Sequence, residues 1–162
     1  MDETEYEKLL GAAIRFVSFR PRSEKELRDF CRKTPKRHHT TAPIVIEKVL
    51  TRLTEYGYVD DVKFVEWWAG QRASFKPKGR RAVTVELRAK GIPKEAIEAY
   101  FLSSNDAPDD LALARKAVGR KLVLWEALPL QAKKKKLYDF LYRRGFDADV
   151  VGRVVDDAFG KE

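Results

Sequence analysis

The chain has 162 residues, of which 44% are apolar and 36% are charged, so it can fold as one domain or as a few small units. Its formal net charge of +8 favours an anionic partner, such as nucleic acid, an acidic protein or an anionic membrane. The membrane is disfavoured because no apolar run reaches the roughly 18 residues that a spanning helix needs. The single cysteine, Cys31, excludes an intrachain disulfide and favours a reducing cytoplasm.

Apolar residues recur at helical spacing along the chain and no segment alternates as a strand does, so the sequence predicts nine helices. Pro21 ends the first helix, Ser23 and Glu26 form a capping box for the second, and Gly57 follows the third. Asp147 is expected to cap the ninth. The predicted helices cover residues 4–18, a short segment after Ser23, and residues 43–56, 60–75, 80–90, 93–102, 109–123, 129–144 and 147–158.

Two groups of reactive side chains have plain structural explanations. His38 and His39 lie in a predicted loop, residues 33–43, and the sequence supplies no second set of metal ligands beside them. An exposed pair of loop histidines is therefore favoured over a metal site. Cys31 lies on an apolar stripe without a histidine placed beside it by the sequence, so we expect it in the core.

Adjacent acids and adjacent tryptophans are read in the same way. The pairs Asp60-Asp61 and Asp109-Asp110 begin predicted helices, so capping explains them better than catalysis or metal binding does. Trp67 and Trp68 are about 100° apart on a helix and are not expected to be equally buried. Trp68 shares a face with Phe64 and is expected to pack, whereas Trp67 is the candidate for partial exposure.

A weak internal repeat indicates the architecture. Leu87 to Ile92 closes one helix and opens the next, and Leu141 to Phe146 does the same in the last third of the chain. A degraded third copy is suggested upstream, where Glu26-Leu27 matches Glu86-Leu87. A repeat of about 50 residues in three copies predicts an all-α fold, in which three tandem three-helix repeats form an elongated, curved array. The expected units are residues 1–59, which include the loop 33–43, then 60–105 and 106–162.

Basic residues cluster on or beside the second helix of each expected unit. If the units stack with a constant rotation, these helices align into one basic stripe that matches a phosphate backbone. The alternative is that they are ordinary solvated helix faces. The candidate residues for binding DNA or another long anionic partner are Arg20, Arg22, Lys25, Arg28, Arg72, Lys76, Lys78, Arg80, Arg81, Arg88, Lys90, Lys133, Lys134, Arg143 and Arg144.

The sequence contains no phosphate-binding glycine loop, nucleophile elbow or zinc-ligand spacing. Nothing in it argues for an enzyme, and no catalytic residue, cofactor or metal is predicted. A binding protein is therefore the expectation from the residues alone.

Three stretches of the chain, residues 20–27, 57–65 and 78–92, carry a resemblance to a known family. They read Arg-Pro-Arg-Ser-Glu-Lys-Glu-Leu, Gly-Tyr-Val-Asp-Asp-Val-Lys-Phe-Val, and Lys-Gly followed by Glu-Leu and Lys-Gly-Ile. In these segments the chain resembles RecX, the bacterial regulator of the RecA recombinase. It departs from the pattern in having Val65 where alanine is usual, in the loop 33–43, and in a third unit without Glu-Leu.

The resemblance implies a non-catalytic regulator that binds along the helical groove of the recombinase–DNA filament. It implies inhibition, by blocking filament extension or promoting disassembly. The implied partners are a RecA-type recombinase filament and single- or double-stranded DNA, with no membrane partner, and the chain is expected to be a cytoplasmic monomer. Two alternatives stay open: a general nucleic-acid-binding helical repeat without a recombinase partner, and a helical adaptor for an acidic protein. A salt titration separates them, because nucleic-acid binding falls steeply with salt.

Overall fold

The computed structural model describes residues 3–34 and 41–160, which form nine α-helices and contain no strand. The prediction of an all-α fold is confirmed. Residues 35–40 of the predicted loop 33–43 lie outside the described residues, and these include the pair His38-His39. The helices are α1 (Glu3–Ser18), α2 (Glu24–Lys33), α3 (Pro43–Glu55), α4 (Asp61–Phe75), α5 (Arg80–Ala89), α6 (Lys94–Ser103), α7 (Asp110–Leu124), α8 (Leu130–Arg143) and α9 (Ala148–Phe159).

Side-chain caps fix the start of several helices. The Ser23 hydroxyl accepts from Glu26 N at 3.2 Å and the Glu26 carboxylate accepts from Ser23 N at 3.3 Å, which confirms the predicted capping box of α2. Asp60 and Asp109 cap α4 and α7 in the predicted way. Asp147 is the N-cap residue of α9, as expected, but its side chain makes no cap hydrogen bond. Only its carbonyl opens α9, by accepting from Val151 N.

Each group of three consecutive helices encloses its own apolar core. Helices α1–α3 surround one cluster, α4–α6 a second and α7–α9 a third, and each cluster is centred on side chains with no exposed surface. Cys31 lies in the first of these cores, as predicted, and burial raises the pKa of its thiol to about 11. The central residues are Leu27, Cys31, Val49 and Leu53 in the first cluster, Phe64, Leu87 and Ile97 in the second, and Leu137, Leu141, Phe146 and Val151 in the third.

The three cores make the molecule an array rather than a sphere. The closest helix–helix packing joins α1 with α2 and α3, α4 with α5 and α6, and α7 with α8 and α9. The accessible surface is 10463 Å², whereas a compact protein of this mass exposes about 8300 Å². The excess surface is that of an elongated body built from three-helix units.

The glycines of the internal repeat occupy equivalent positions. Gly91 and Gly145 follow α5 and α8 with φ of +87° and +82°, a region that residues with a Cβ rarely adopt. The next amide then bonds back into the helix, from Ile92 N to Leu87 O and from Phe146 N to Leu141 O. Gly57 ends α3 in the same way, as predicted.

The upstream copy of the repeat was placed in the wrong register. Glu26 is the third residue of α2, whereas Glu86 is the seventh residue of α5, so the two Glu-Leu pairs are not equivalent. The equivalent of Leu27 is Val83, because each is buried four residues after the N-cap of its helix. Short identical pairs carry too little information to fix a register that the apolar core decides.

Candidate nucleic-acid interface

The second helices of the first two units meet end to end. The Ser23 hydroxyl, at the start of α2, donates to the Lys90 carbonyl at 2.7 Å, while accepting from Glu26 N. Lys25 Nζ donates to the Ala89 carbonyl at 3.0 Å. These two carbonyls belong to the last turn of α5 and lack partners within that helix. The N-terminal end of α2 therefore lies on the C-terminal end of α5.

The second and third units are joined in the same direction. Gly79 N, at the start of α5, donates to the Arg144 carbonyl at 2.9 Å. The Arg81 guanidinium donates to the Tyr142 carbonyl at 2.8 Å, and that of Arg144 donates to the Pro77 carbonyl at 3.1 Å. Helices α8, α5 and α2 thus follow one another as a column, which we call the second-helix column. It brings the three basic clusters into one row of helices.

The second aspartate of each acidic pair fastens this column to the next unit. Asp61 accepts from the backbone amide of Glu24 at 3.0 Å, and Asp110 accepts from that of Arg80 at 3.0 and 3.2 Å. Desolvation by burial raises the pKa of both carboxyl groups above their usual value, although these hydrogen bonds oppose the shift. The sequence predicted capping within one helix but not this contact between units, although the recurrence of the Asp-Asp pair was a sign of it.

Glu86 holds several of the predicted binding residues inside the second unit. Its carboxylate accepts from Arg72 Nε at 2.7 Å, from Trp68 Nε1 at 2.9 Å and from Lys78 Nζ. Desolvation raises the pKa of Glu86, but the hydrogen bonds from Lys78, Arg72 and Trp68 outweigh it, so the pKa lies below its ordinary value. Trp68 packs against the second core, as predicted. The expectation that Trp67 would be the more exposed of the two is not confirmed, because both side chains are half-buried and both pack against that core.

Glu26 plays the same part at the junction of the first two units. It accepts from Arg20 at 2.9 Å and from Lys90 at 2.5 Å. Desolvation raises the pKa of Glu26, and the hydrogen bonds from Arg20 and Lys90 again outweigh it and lower the pKa overall. Because Lys90 directly follows α5 and Glu26 lies in α2, this ion pair links the first two units.

Other predicted residues also have contacts within the protein. Arg28 pairs with Glu24 at 2.8 Å and with Glu47. The guanidinium groups of further arginines lie over aromatic rings, at 3.9 to 4.9 Å from the ring centroid, and Lys134 too has an interaction within the chain. These pairs are Arg22 with Phe16, Arg80 with Phe101, Arg81 with Tyr142 and Arg144 with Phe140.

Four predicted residues remain available. Among the residues that the structure describes, the side chains of Lys76, Arg88, Lys133 and Arg143 make no hydrogen bond, ion pair or ring contact. Lys76, Arg88 and Arg143 are exposed, and Lys133 is half-buried. The fifteen predicted residues thus separate into a majority with contacts inside the protein and a few whose charge is free for a partner.

The sequence also contained exposed aromatic residues that the prediction omitted. Phe19 directly follows α1 and Phe75 ends α4, and their side chains are 85% and 80% exposed. Each is followed by a basic residue, a proline and a second basic residue, in Phe-Arg-Pro-Arg and Phe-Lys-Pro-Lys. This short repeat was visible in the sequence and gives the correct register of the first two units.

Residues 3–34 and 41–160 lack the features of two other classes of protein. No helix within these ranges is long and apolar enough to cross a membrane. No group of three or more histidine, cysteine, aspartate or glutamate side chains lies there in an arrangement that could hold a metal ion.

The second-helix column and the exposed cations define a class of protein, the tandem arrays of three-helix units that present a basic surface. Residues 60–100 match the sequence model of the second three-helix domain of RecX, and residues 108–155 match that of the third. Regulatory protein RecX of Chlorobium phaeobacteroides (strain BS1) is 33% identical over 98% of this chain and 99% of that protein. Regulatory protein RecX of Thermobifida fusca (strain YX) is 30% identical over 97% and 82%.

The fold agrees with these sequence matches. The crystal structure of RecX from Lactobacillus salivarius superimposes with a TM-score of 0.77 at 18% identity, over 95% of this chain and 96% of that one. The chain belongs to the RecX family. Its relatives are named regulatory proteins, and the resemblance seen in the sequence is confirmed.

Proposed function

We propose that this chain regulates a RecA-type recombinase by lying along the recombinase–DNA filament and lowering its activity. Family membership supports the regulatory role, since the relatives are named regulatory protein RecX. The observation that carries the mode of binding is the second-helix column, because it joins the basic clusters of three units along one direction. A long partner with a repeating backbone suits such a surface better than a small ligand does.

The free cations supply the contact with DNA phosphate in this proposal. Lys76, Arg88 and Arg143 are exposed and without internal partners among the described residues, so neutralising a phosphate costs them no existing ion pair. Each neutralised phosphate releases counterions, and binding therefore weakens as salt rises, with a slope of about −0.7 to −0.9 per contact. The internally paired cations shape the column and contribute a general positive potential.

The three units act as linked binding sites. We propose boundaries at residues 1–59, 60–105 and 106–162, supported by the separate apolar cores and by the match of residues 60–100 and 108–155 to two three-helix domains. A monomer that bridges several recombinase protomers needs only modest affinity from each unit, because later contacts form within an existing complex. One bound copy then affects a run of neighbouring protomers.

The proposed action is non-catalytic and takes place in the cytoplasm without a cofactor or a membrane. The one cysteine does not suit nucleophilic catalysis, since it is fully buried and its thiol pKa is raised to about 11. The Asp60-Asp61 and Asp109-Asp110 pairs bind amides at helix N-termini. Glu26 and Glu86 are paired with cations. The chain therefore changes what the filament does by occupying it.

The test is recombinase-catalysed ATP hydrolysis on single-stranded DNA, with this protein added at well below one copy per protomer. We expect a loss of hydrolysis that the variant Lys76→Glu/Arg88→Glu/Arg143→Glu fails to produce. Val123→Ala, at an exposed apolar side chain of α7 outside the second-helix column, is the surface control and should inhibit fully. No effect of the wild type, together with steeply salt-dependent DNA binding, would favour the general nucleic-acid-binding protein. Weak salt dependence would favour an acidic protein partner.

A further inference from the structure

The same exposed turn occurs in the first two units. Phe19 and Phe75 stand where the first helix of a unit ends and the chain turns towards the second helix. Both side chains are almost fully in water, at 85% and 80% exposure, although every unit has an apolar core to which a phenylalanine could contribute. Single exposed apolar residues are ordinary, but two at one structural position, in one sequence pattern, indicate a shared use.

A basic residue follows each of these phenylalanines in the chain. Arg20 follows Phe19 and lines the same groove, and its guanidinium pairs with Glu26 and lies 5.5 Å from the centre of the Trp67 ring. Lys76 follows Phe75 and is exposed without an internal partner among the described residues. An exposed aromatic face beside a positive charge is the arrangement that binds a base and its phosphate together.

The first of these turns opens onto a groove between the first two units. The groove has a volume of about 390 Å³, more than a nucleobase fills, and its lining includes Phe19, Tyr58, Arg22 and Lys63. Tyr58 is 45% exposed and so presents a second aromatic surface. Asp60 is the acid in this lining, and its carboxylate is occupied by the amides of Val62 and Lys63 and by the ammonium of Lys63.

We propose that Phe19 and Phe75 are stacking platforms for unpaired bases of single-stranded nucleic acid. A duplex hides the faces of its bases, so these platforms favour a single strand over a duplex, which phosphate contacts alone do not. This inference rests on the nucleic-acid contact of the proposed function. It adds that the first two units bind single-stranded nucleic acid in preference to a duplex. The third unit has Leu124-Trp125-Glu126 at the corresponding helix end, without the cation, and is not part of the platform.

The experiment uses the full chain and measures the binding of a fluorescent oligothymidylate and of a duplex of equal length by anisotropy. Phe19→Leu and Phe75→Leu keep an apolar side chain but remove the aromatic face. Each should weaken oligothymidylate binding by roughly 5-fold or more, the low end of what a stacked base contributes. Duplex binding and the salt slope should stay the same, since no cation is lost. Phe19→Trp and Phe75→Trp keep an aromatic face and should retain the single-strand binding of the wild type.

Leu102→Ala is the control, since Leu102 is 79% exposed but lies between Phe101 and Ser103, away from any neighbouring cation in the chain. Unchanged oligothymidylate binding in both leucine variants overturns the inference, while salt-dependent DNA binding by the same proteins leaves the proposed function intact. An equal loss for duplex and single strand also overturns it. Loss of binding to DNA-free recombinase, with oligothymidylate binding retained, would show that the two phenylalanines anchor a protein instead.

Discussion

Gly79→Ala tests the junction between the second and third units directly. Gly79 has ordinary backbone angles, φ −71° and ψ 161°, so an alanine there causes no backbone strain of its own. Its added Cβ would lie 2.5 Å from both the Gly145 carbonyl carbon and Phe146 N. These are backbone atoms at the end of α8, so the overlap is relieved only by moving the two units apart.

The expected cost follows from what that separation breaks. Overpacking against backbone costs about 1–3 kcal/mol. The hydrogen bonds from Gly79 N to Arg144 O and from Arg81 to Tyr142 O add about 0.5–1.5 kcal/mol each when lost, with the exposed Arg81 at the low end. We expect the free energy of unfolding to fall by about 2–5 kcal/mol.

Urea unfolding followed by circular dichroism measures this change, and the shape of the transition carries further information. Because the cores of the units are separate, a broken junction should uncouple them, which lowers the apparent m-value or gives two transitions. Gly70→Ala is the matched control, since an added Cβ in the middle of α4 meets nothing within 4 Å. It should stabilise the protein by up to about 1 kcal/mol. If Gly79→Ala unfolds like the control, the close backbone contact does not hold the units together.

Three further predictions concern the core, the paired acids and the free cations. Leu87→Ala and Leu141→Ala should each lower the free energy of unfolding by about 2–5 kcal/mol, because both side chains are fully buried; losses below about 1 kcal/mol in urea titrations would contradict equivalent core positions. Glu86→Gln should destabilise the protein at neutral pH and reduce its acid sensitivity. The folded-state pKa of Glu86 lies below its ordinary value of 4.5, so its charged form contributes stability that is lost as pH falls from 4.5 through the lowered pKa. An unchanged pH dependence of the thermal midpoint would speak against this. Arg88→Ala and Arg143→Ala should each reduce the salt slope of DNA binding by about 0.7–0.9, with an unaltered slope showing that the residue only faces solvent.

The helices and cores were predictable because they depend on local patterns. The spacing of apolar residues, the Ser23–Glu26 capping box and the glycines after α5 and α8 are properties of single helices and their immediate ends. Each can therefore be recognised from residues that lie close together in the sequence. The same holds for the family resemblance, which depends on short stretches in order along the chain.

The candidate interface was only partly predictable, because the use of a charge depends on neighbours distant in sequence. Arg80, Arg81 and Arg88 look alike in the sequence, yet the first packs on Phe101, the second donates to the Tyr142 carbonyl and only the third is free among the described residues. These partners come from other helices or another unit. The sequence therefore shows where the basic residues cluster, while their division into structural and available cations required the fold.

The end-to-end contacts of α8, α5 and α2 also make the array electrically polar. Aligned peptide units leave about half a positive charge at the N-terminus of a helix and half a negative charge at its C-terminus. The two inner junctions bring opposite ends together, so these partial charges cancel and only the outer ends of the column remain. The positive end is the start of α8, where Lys133 to Lys136 add to it, whereas Arg32 and Lys33 offset the negative end of α2. If the chain binds as proposed, we expect a polyanion laid along the column to be attracted most strongly at the third unit, so that the protein has a preferred direction on a polar filament.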